Sequence, residues 1–212
     1  MSKFFKTIVE ALELQARVLA DTEPTEKIDA LYIYGETEDN QPSSFTVAAE
    51  LAIKAGLIAY LRTGTLITGR KFVSDYDDKL VKLGVPKEKI IFTDLPTGLA
   101  HTHTEAIALV ELAKKMNWQT IYILAPPLHL LRAFVETVTA ILNIYPELKV
   151  FGKMGKPLAW TETIIHSQDI LTGRRCDLVQ SETEKLEQYY DQGGLLNARQ
   201  VLDYLNLRDQ DT

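Results

Sequence analysis

The chain has 212 residues, 46% of them hydrophobic and 25% charged, an ordinary globular composition with enough length to bury a sizeable core in one domain. Its net charge of −6 argues against a nucleic-acid surface, because phosphate-backbone binding needs clustered Lys and Arg. Cys176 is the single cysteine, which excludes an intramolecular disulfide and a thiolate-built zinc cage, and no apolar run approaches the roughly 20 residues that span a bilayer.

Residues 2–20 read as an amphipathic helix, with Phe5, Ile8, Val9, Leu12, Ala16 and Leu19 on one face. Lys6, Glu10, Glu13 and Arg17 interrupt the apolar residues, so there is no signal-peptide core and the expected location is cytoplasmic. Mixed charge on the polar face favours docking on the protein's own body over lying on a membrane.

After a polar connection, Ile28–Gly35 is a compact apolar run that suits a buried parallel strand. Residues 44–56 predict a helix with Ser44 as N-cap and Gly56 just past its end. Residues 57–64 are a second strand, 65–78 are mixed loop and helix start, and 77–86 finish a helix stopped by Gly84 and Pro86. Residues 89–94 are a third strand and 95–101 a loop. A helix follows over 102–117, a fourth strand over 120–126, a helix over 128–142, and a fifth strand near a sheet edge over 149–155. Strands alternating with helices imply a three-layer αβα sandwich, Rossmann-like, with a mainly parallel sheet. The chain reads as one domain: N-terminal helix, α/β body over 28–155, and a C-terminal extension over 160–210 made of helices only. In that extension Leu186, Tyr189, Tyr190, Val201, Leu202 and Leu205 are expected to pack onto the body, because short helices cannot bury their apolar stripes alone.

Open α/β sheets bind ligands beyond the C-terminal ends of their strands. Gly35 and Glu36 lie at the first such junction, and Glu36 is a candidate base; alone, a turn with a solvated carboxylate is the plainer reading. Thr63 and Gly64 offer a hydroxyl and backbone N–H groups at the second, although Thr-Gly is also common in turns. Neither GxGxxG nor GxxxxGK[ST] is present, so no cofactor fingerprint is claimed.

The third junction runs from Asp94 to Glu105 and holds His101 and His103. Thr102 and Glu105 fit a capping box, with Thr102 as N-cap. A metal would need further ligands, for which only Asp94 and His129 stand out, so the expectation is a capped helix start presenting polar groups to an anion, with no metal. The fourth junction places His129 and Arg132 on one helical face directly after a strand, behind Pro126 and Pro127. An imidazole beside a guanidinium suits proton transfer with anion clamping, against the alternative of an exposed first turn.

A strand ending in glycine, strand-Thr-Gly, "LGVP", a Thr-containing helix start and "PLHLLRA", in that order, resemble the YdcF/SanA/ElyC family, a bacterial domain family of largely unassigned biochemistry. The resemblance covers about residues 28–133, with His129, Arg132 and Ala133 its most specific part. The family's S-G-G reads Thr63-Gly64-Thr65 here, its N-T-x-E-N reads His101 to Glu105, and its preceding acid falls at Asp94. Some members are membrane-anchored and tied to envelope metabolism; this chain is a divergent relative. The resemblance implies a Rossmann-like sandwich with a polar pocket built from Gly35, Glu36, Thr63, Gly64, Thr102, Glu105, His129 and Arg132.

Three functions compete. The first is an enzyme that hydrolyses or transfers a group on a small anionic molecule, phosphorylated or nucleotide-like, with His129, Arg132 and Glu36 catalytic. Gly35, Thr63, Gly64, Asp94, His101, Thr102 and Glu105 would then bind the ligand. The second is a non-catalytic sensor for a nucleotide-type ligand such as S-adenosylmethionine. The third is a scaffold that associates through its terminal helices. The sequence leaves the cofactor and the oligomeric state open.

Overall fold

A computed structural model describes residues 2–52, 54–65, 68, 69, 71–166 and 170–211. Its elements are α1 (Ile8–Leu19), β1 (Ala30–Ile33), α2 (Gln41–Leu51), β2 (Leu57–Thr65), β3 (Lys71–Val73), α3 (Tyr76–Lys82), β4 (Ile90–Leu99) and α4 (Thr102–Lys115). They continue with β5 (Thr120–Ala125), α5 (Leu130–Ile144), β6 (Lys149–Met154), β7 (Thr163–His166), β8 (Leu171–Arg174), α6 (Val179–Asp191) and α7 (Ala198–Arg208).

The strands β4, β2, β1, β5 and β6 lie side by side in that order, all parallel. Chain order thus runs outward from β1 to β4 and then restarts on the other side of β1 at β5. The switch point in strand order lies between β1 and β5, where open sheets of this kind place their crevice. Both flanks of the sheet are covered. Ala30, Tyr32 and Tyr34 point into one core with residues of α1, α4, α5 and α7, while Leu31 and Ile33 point into a second core with Phe45, Ala48, Tyr76 and Leu80 of α2 and α3. Period-two alternation between two buried faces is why β1 reads as a continuous apolar run. The result is a three-layer, Rossmann-like αβα sandwich.

Several boundaries differ from the sequence reading. The first helix docks through Leu14 and Val18, while Ile8, Val9 and Leu12 of the expected stripe are exposed. Two apolar stripes compete on this helix, and the one carrying Leu14 and Val18 reaches the core formed with α5 and β6. Helix α2 starts at Gln41, not after Ser44, because Pro42 fits the first turn, where a missing N–H costs nothing. Gly56 follows that helix by five residues and serves close packing, since a Cβ there would lie 2.5 Å from the Asp29 carbonyl oxygen. Within 65–78, β3 pairs antiparallel with the end of β2, and residues 66, 67 and 70 lie outside the described residues. The loop expected over 95–101 is largely strand: β4 continues to Leu99 along the extended β2, through two register shifts. Helix α5 begins at Leu130, leaving His129 just outside it.

The extension is not helices only. The hairpin of β7 and β8 precedes α6 and α7, its Ile164 packing with Leu128 and Leu178. The expected apolar packing of the two helices is present: Leu186, Val201, Leu202 and Leu205 are buried in the main core, with Tyr189 and Tyr190 packed against it. Helix α7 is pinned further by the buried Arg208–Asp21 pair at 2.6 Å, with the guanidinium 4.1 Å above the Phe151 ring.

Candidate functional site

At the switch point, β1 is followed by Tyr34-Gly35-Glu36 and β5 by Pro126. The two prolines set the chain so that His129 precedes the first turn of α5 without capping it through its side chain. Its Nδ1 lies 2.5 Å from Glu36 Oε1 and its Nε2 lies 3.2 Å from Thr102 Oγ1. Arg132, one turn further along α5, donates from Nη1 to the same Thr102 hydroxyl at 2.5 Å. Glu36, Thr102, His129 and Arg132 are all buried, so the exposed-first-turn reading of His129 and Arg132 fails. Three strand-to-helix junctions therefore meet in one polar chain, from Glu36 to His129 to Thr102 to Arg132.

The charges in this chain are set by burial. Burial, then Glu182 and Glu105, raise the Glu36 carboxyl well above its ordinary value. Burial, then the Arg132 charge, push His129 well below the usual imidazole range. Both groups thus favour their neutral forms and titrate as a unit. Two proton placements fit the distances. With Glu36 ionised, His129 donates from Nδ1 and leaves Nε2 as an acceptor for the Thr102 hydroxyl proton. With Glu36 protonated, the proton on His129 sits on Nε2 and is available for donation. The same ring is a base in one placement and an acid in the other.

Arg132 is also held by a residue of the extension. Its Nε donates to Glu182 Oε2 at 2.7 Å and its Nη2 to Oε1 at 3.3 Å. His166 Nε2 lies 2.9 Å from Glu182 Oε1, and Lys185 Nζ donates to that oxygen at 2.9 Å. Burial would raise the Glu182 carboxyl, but Arg132 and then His166 hold it well below the carboxylate range. On the other edge of the guanidinium, Glu136 Oε1 stands 3.6 Å from Nη1, while its Oε2 bonds His103 Nδ1 at 2.9 Å.

Glu105 is not part of a capping box. The cap of α4 is His101, whose ring accepts from the Thr104 N–H, while the Thr104 hydroxyl accepts from the His101 N–H. Thr102 and Glu105 sit one position further in, on the buried face, which frees both side chains for the interior. Glu105 Oε1 accepts from the Gly35 N–H at 2.8 Å and the Tyr32 hydroxyl at 3.2 Å. Burial raises its carboxyl to about 7 against these hydrogen bonds.

Thr63, Gly64 and Asp94 form a separate group at the β2–β4 edge. Thr63 donates to Asp94 Oδ1 at 2.7 Å and Arg62 Nη2 reaches Oδ2 at 3.2 Å. Gly64 lies against Ala100, where a Cβ would stand 2.5 Å from the Ala100 Cβ, so packing explains the glycine. His101 and His103 stack with ring centroids 6.2 Å apart, and among the described residues no three His, Cys, Asp or Glu side chains converge as metal ligands.

The sequence reading missed Glu136, Glu182, Lys185 and His166. Glu182, Lys185 and His166 belong to the extension, far along the chain from every strand-end junction, and no local spacing ties them to Arg132. Glu136 had a signal, since it follows Arg132 by four residues on the same helix face. Among the described residues no helix is long and apolar enough to cross a membrane. No protein-family model and no curated protein matches the chain.

Proposed function

We propose that the protein is an enzyme that hydrolyses or transfers a group on a small anionic molecule, phosphorylated or nucleotide-like, in the cytoplasm. The observation that carries this reading is the buried chain of a carboxylate, an imidazole and a hydroxyl at the switch point of the sheet. Glu36 fixes the His129 ring and, when ionised, holds its proton on Nδ1. His129 takes a proton from the Thr102 hydroxyl, or from a water or substrate hydroxyl replacing it, and returns it to the leaving group. Arg132, donating to that hydroxyl, favours its ionised form and offsets developing negative charge. The resemblance to the YdcF/SanA/ElyC pattern supports the same residues, with His129, Arg132 and Thr102 at its matching positions.

Incubation with a panel of phosphomonoesters, nucleotides and S-adenosylmethionine tests the reading. At least one compound should turn over, and His129→Asn should slow that turnover by about 100-fold or more with the fold retained. Turnover undiminished in His129→Asn would refute the assignment. A second reading, a non-catalytic sensor, has its own support: the polar groups of the chain satisfy one another in a closed interior. Binding of a nucleotide-type compound without turnover, weakened in His129→Asn, would decide for it.

A further inference from the structure

The carboxylate of Glu182 is held as a bound anion would be. Its Oε1 receives His166, Lys185 and Arg132, and its Oε2 receives Arg132 again. Arg132 and His166 are buried, and they come from α5 and β7, two elements distant in sequence. Four donors on two oxygens, with a guanidinium presenting two of them side by side, is the constellation that recognises a phosphoryl or carboxylate group. The rings of His166 and His129 stand 6.2 Å apart, so this constellation adjoins the acid–base chain.

The two parts of this constellation are anchored unequally. Arg132 sits on α5, where eleven of the fifteen residues are buried. Glu182 sits on α6, which buries only Glu182 and Leu186 among its thirteen. The neighbouring α7 buries six of eleven, so the extension is fixed at its end and lightly held across α6. Removing Glu182 from the seat would leave Arg132 answered by Glu136 at 3.6 Å on its other edge, which limits the cost of opening.

We infer that Arg132, His166 and Lys185 form an oxyanion seat for the phosphoryl or carboxylate group of a small ligand, with Glu182 as its internal occupant. The ligand enters by displacing the Glu182 side chain and loosening α6, and in its absence Glu182 keeps the seat neutralised and closed. A phosphoryl group brings more acceptor oxygens and up to twice the charge of the carboxylate it replaces, which is the basis of the exchange. Because Glu182 competes from within the same chain, ligand affinity is reduced by the fraction of seats it holds. This inference deepens the reading above and rests on its choice of site.

The test uses the full chain and inorganic phosphate. Glu182→Gln removes the competing charge and keeps the side-chain shape, so it should bind phosphate at least about tenfold more tightly by calorimetry than the native protein. Glu182→Ala should melt at a lower temperature and recover with phosphate or acetate, but not with potassium chloride at equal ionic strength. Phosphate added to the native protein should speed amide exchange across residues 179–191. Equal phosphate affinity in Glu182→Gln and the native chain, or recovery of Glu182→Ala by chloride alone, would overturn the seat. All three readouts are independent of turnover, so a failed substrate panel leaves the seat standing, and a failed seat leaves the His129 test intact.

Discussion

Two polar clusters crown the C-terminal ends of the parallel strands, and they are made of the same kinds of residue. At the switch point, Glu36, His129, Thr102, Arg132 and Glu182 interlock in a buried chain. At the β2–β4 edge, Thr63, Asp94 and Arg62 make equally short hydrogen bonds, but the Arg62 and Asp94 side chains are 40% and 36% exposed. The difference is solvent. In water a carboxylate–guanidinium pair gains little over hydration, whereas in the interior each charge depends wholly on its neighbours. Burial also favours the neutral form of both partners at the switch point, raising Glu36 and lowering His129. Geometry alone therefore does not mark a site; geometry together with exclusion of water does.

The largest effect should come from removing the charge that the buried cluster depends on. Among the described residues, Arg132→Met leaves His166 and Lys185 as the hydrogen-bond partners of Glu182, and strands Glu136 beside His103. The expected cost is about 3–5 kcal/mol in urea unfolding, the range for breaking one partner out of a buried pair. The double variant Arg132→Met, Glu182→Met should recover most of it, because both ends of the pair become apolar. A single-variant loss below about 1 kcal/mol would place the cluster with the exposed pair and erase the contrast.

Most of this architecture was legible in the sequence, for reasons that also explain the gaps. Strands β1 and β5 announced themselves because each is buried along its whole length and so reads as an apolar run, while β4, with Phe92 and Leu99 exposed, was legible only in its apolar first half. His129, Arg132, Thr102 and Glu36 could be gathered because each follows a strand directly, and strands of a parallel sheet end on one side. The capping box was misassigned by one residue. His101 can accept through its ring, and choosing Thr102 hid the fact that Thr102 and Glu105 face inward. Glu182 was invisible for a different reason: its partners Arg132 and His166 lie 50 and 16 residues away, and only the folded extension joins them. The β7–β8 hairpin escaped because its strands have four residues each and alternate exposed with buried or half-buried positions, a weak signal beside the long strands of the body.

A second effect concerns pH and the buried Glu105. Its carboxyl is raised to about 7 from an ordinary value of 4.5. A raised folded value favours the protonated form, so the stability it confers is full below pH 4.5 and is lost as pH rises through about 7. Glu105→Gln keeps an oxygen for the Gly35 N–H and cannot ionise. Relative to the native protein, it should gain stability between pH 4.5 and pH 8 by on the order of 3 kcal/mol. Urea midpoints across that range check it; parallel profiles for the two proteins would show that Glu105 ionises without penalty, as an exposed carboxylate does.

His103 stands between the two regimes, with its ring about one-third exposed and its partner Glu136 fully buried. The Glu136 hydrogen bond raises its pKa above the usual imidazole value, against burial. The sign follows: the stabilisation is complete below pH 6.5 and disappears as pH climbs through the raised value. His103→Gln should cost no more than about 1 kcal/mol at pH 6, discounted for solvent screening, and nothing measurable at pH 9. A proton-NMR titration giving His103 a value below 6.5 would contradict the ion pair.

The smallest effect is expected where the sequence reading had placed a ligand contact. Asp94→Asn replaces the charge in the exposed cluster but keeps an oxygen for the Thr63 hydroxyl. Arg62 loses an ion pair yet keeps its stacking on Phe92, with the guanidinium carbon 3.4 Å from the ring centre. The expected change in stability is therefore within about 0.5 kcal/mol, as for ordinary surface substitutions, and it should shrink further in high salt. Phosphate binding by the Glu182→Gln protein should be unaltered when Asp94→Asn is added, since among the described residues the two clusters share no hydrogen-bonded residue. A tenfold change in that affinity would couple the β2–β4 edge to the switch point and extend the site across both clusters.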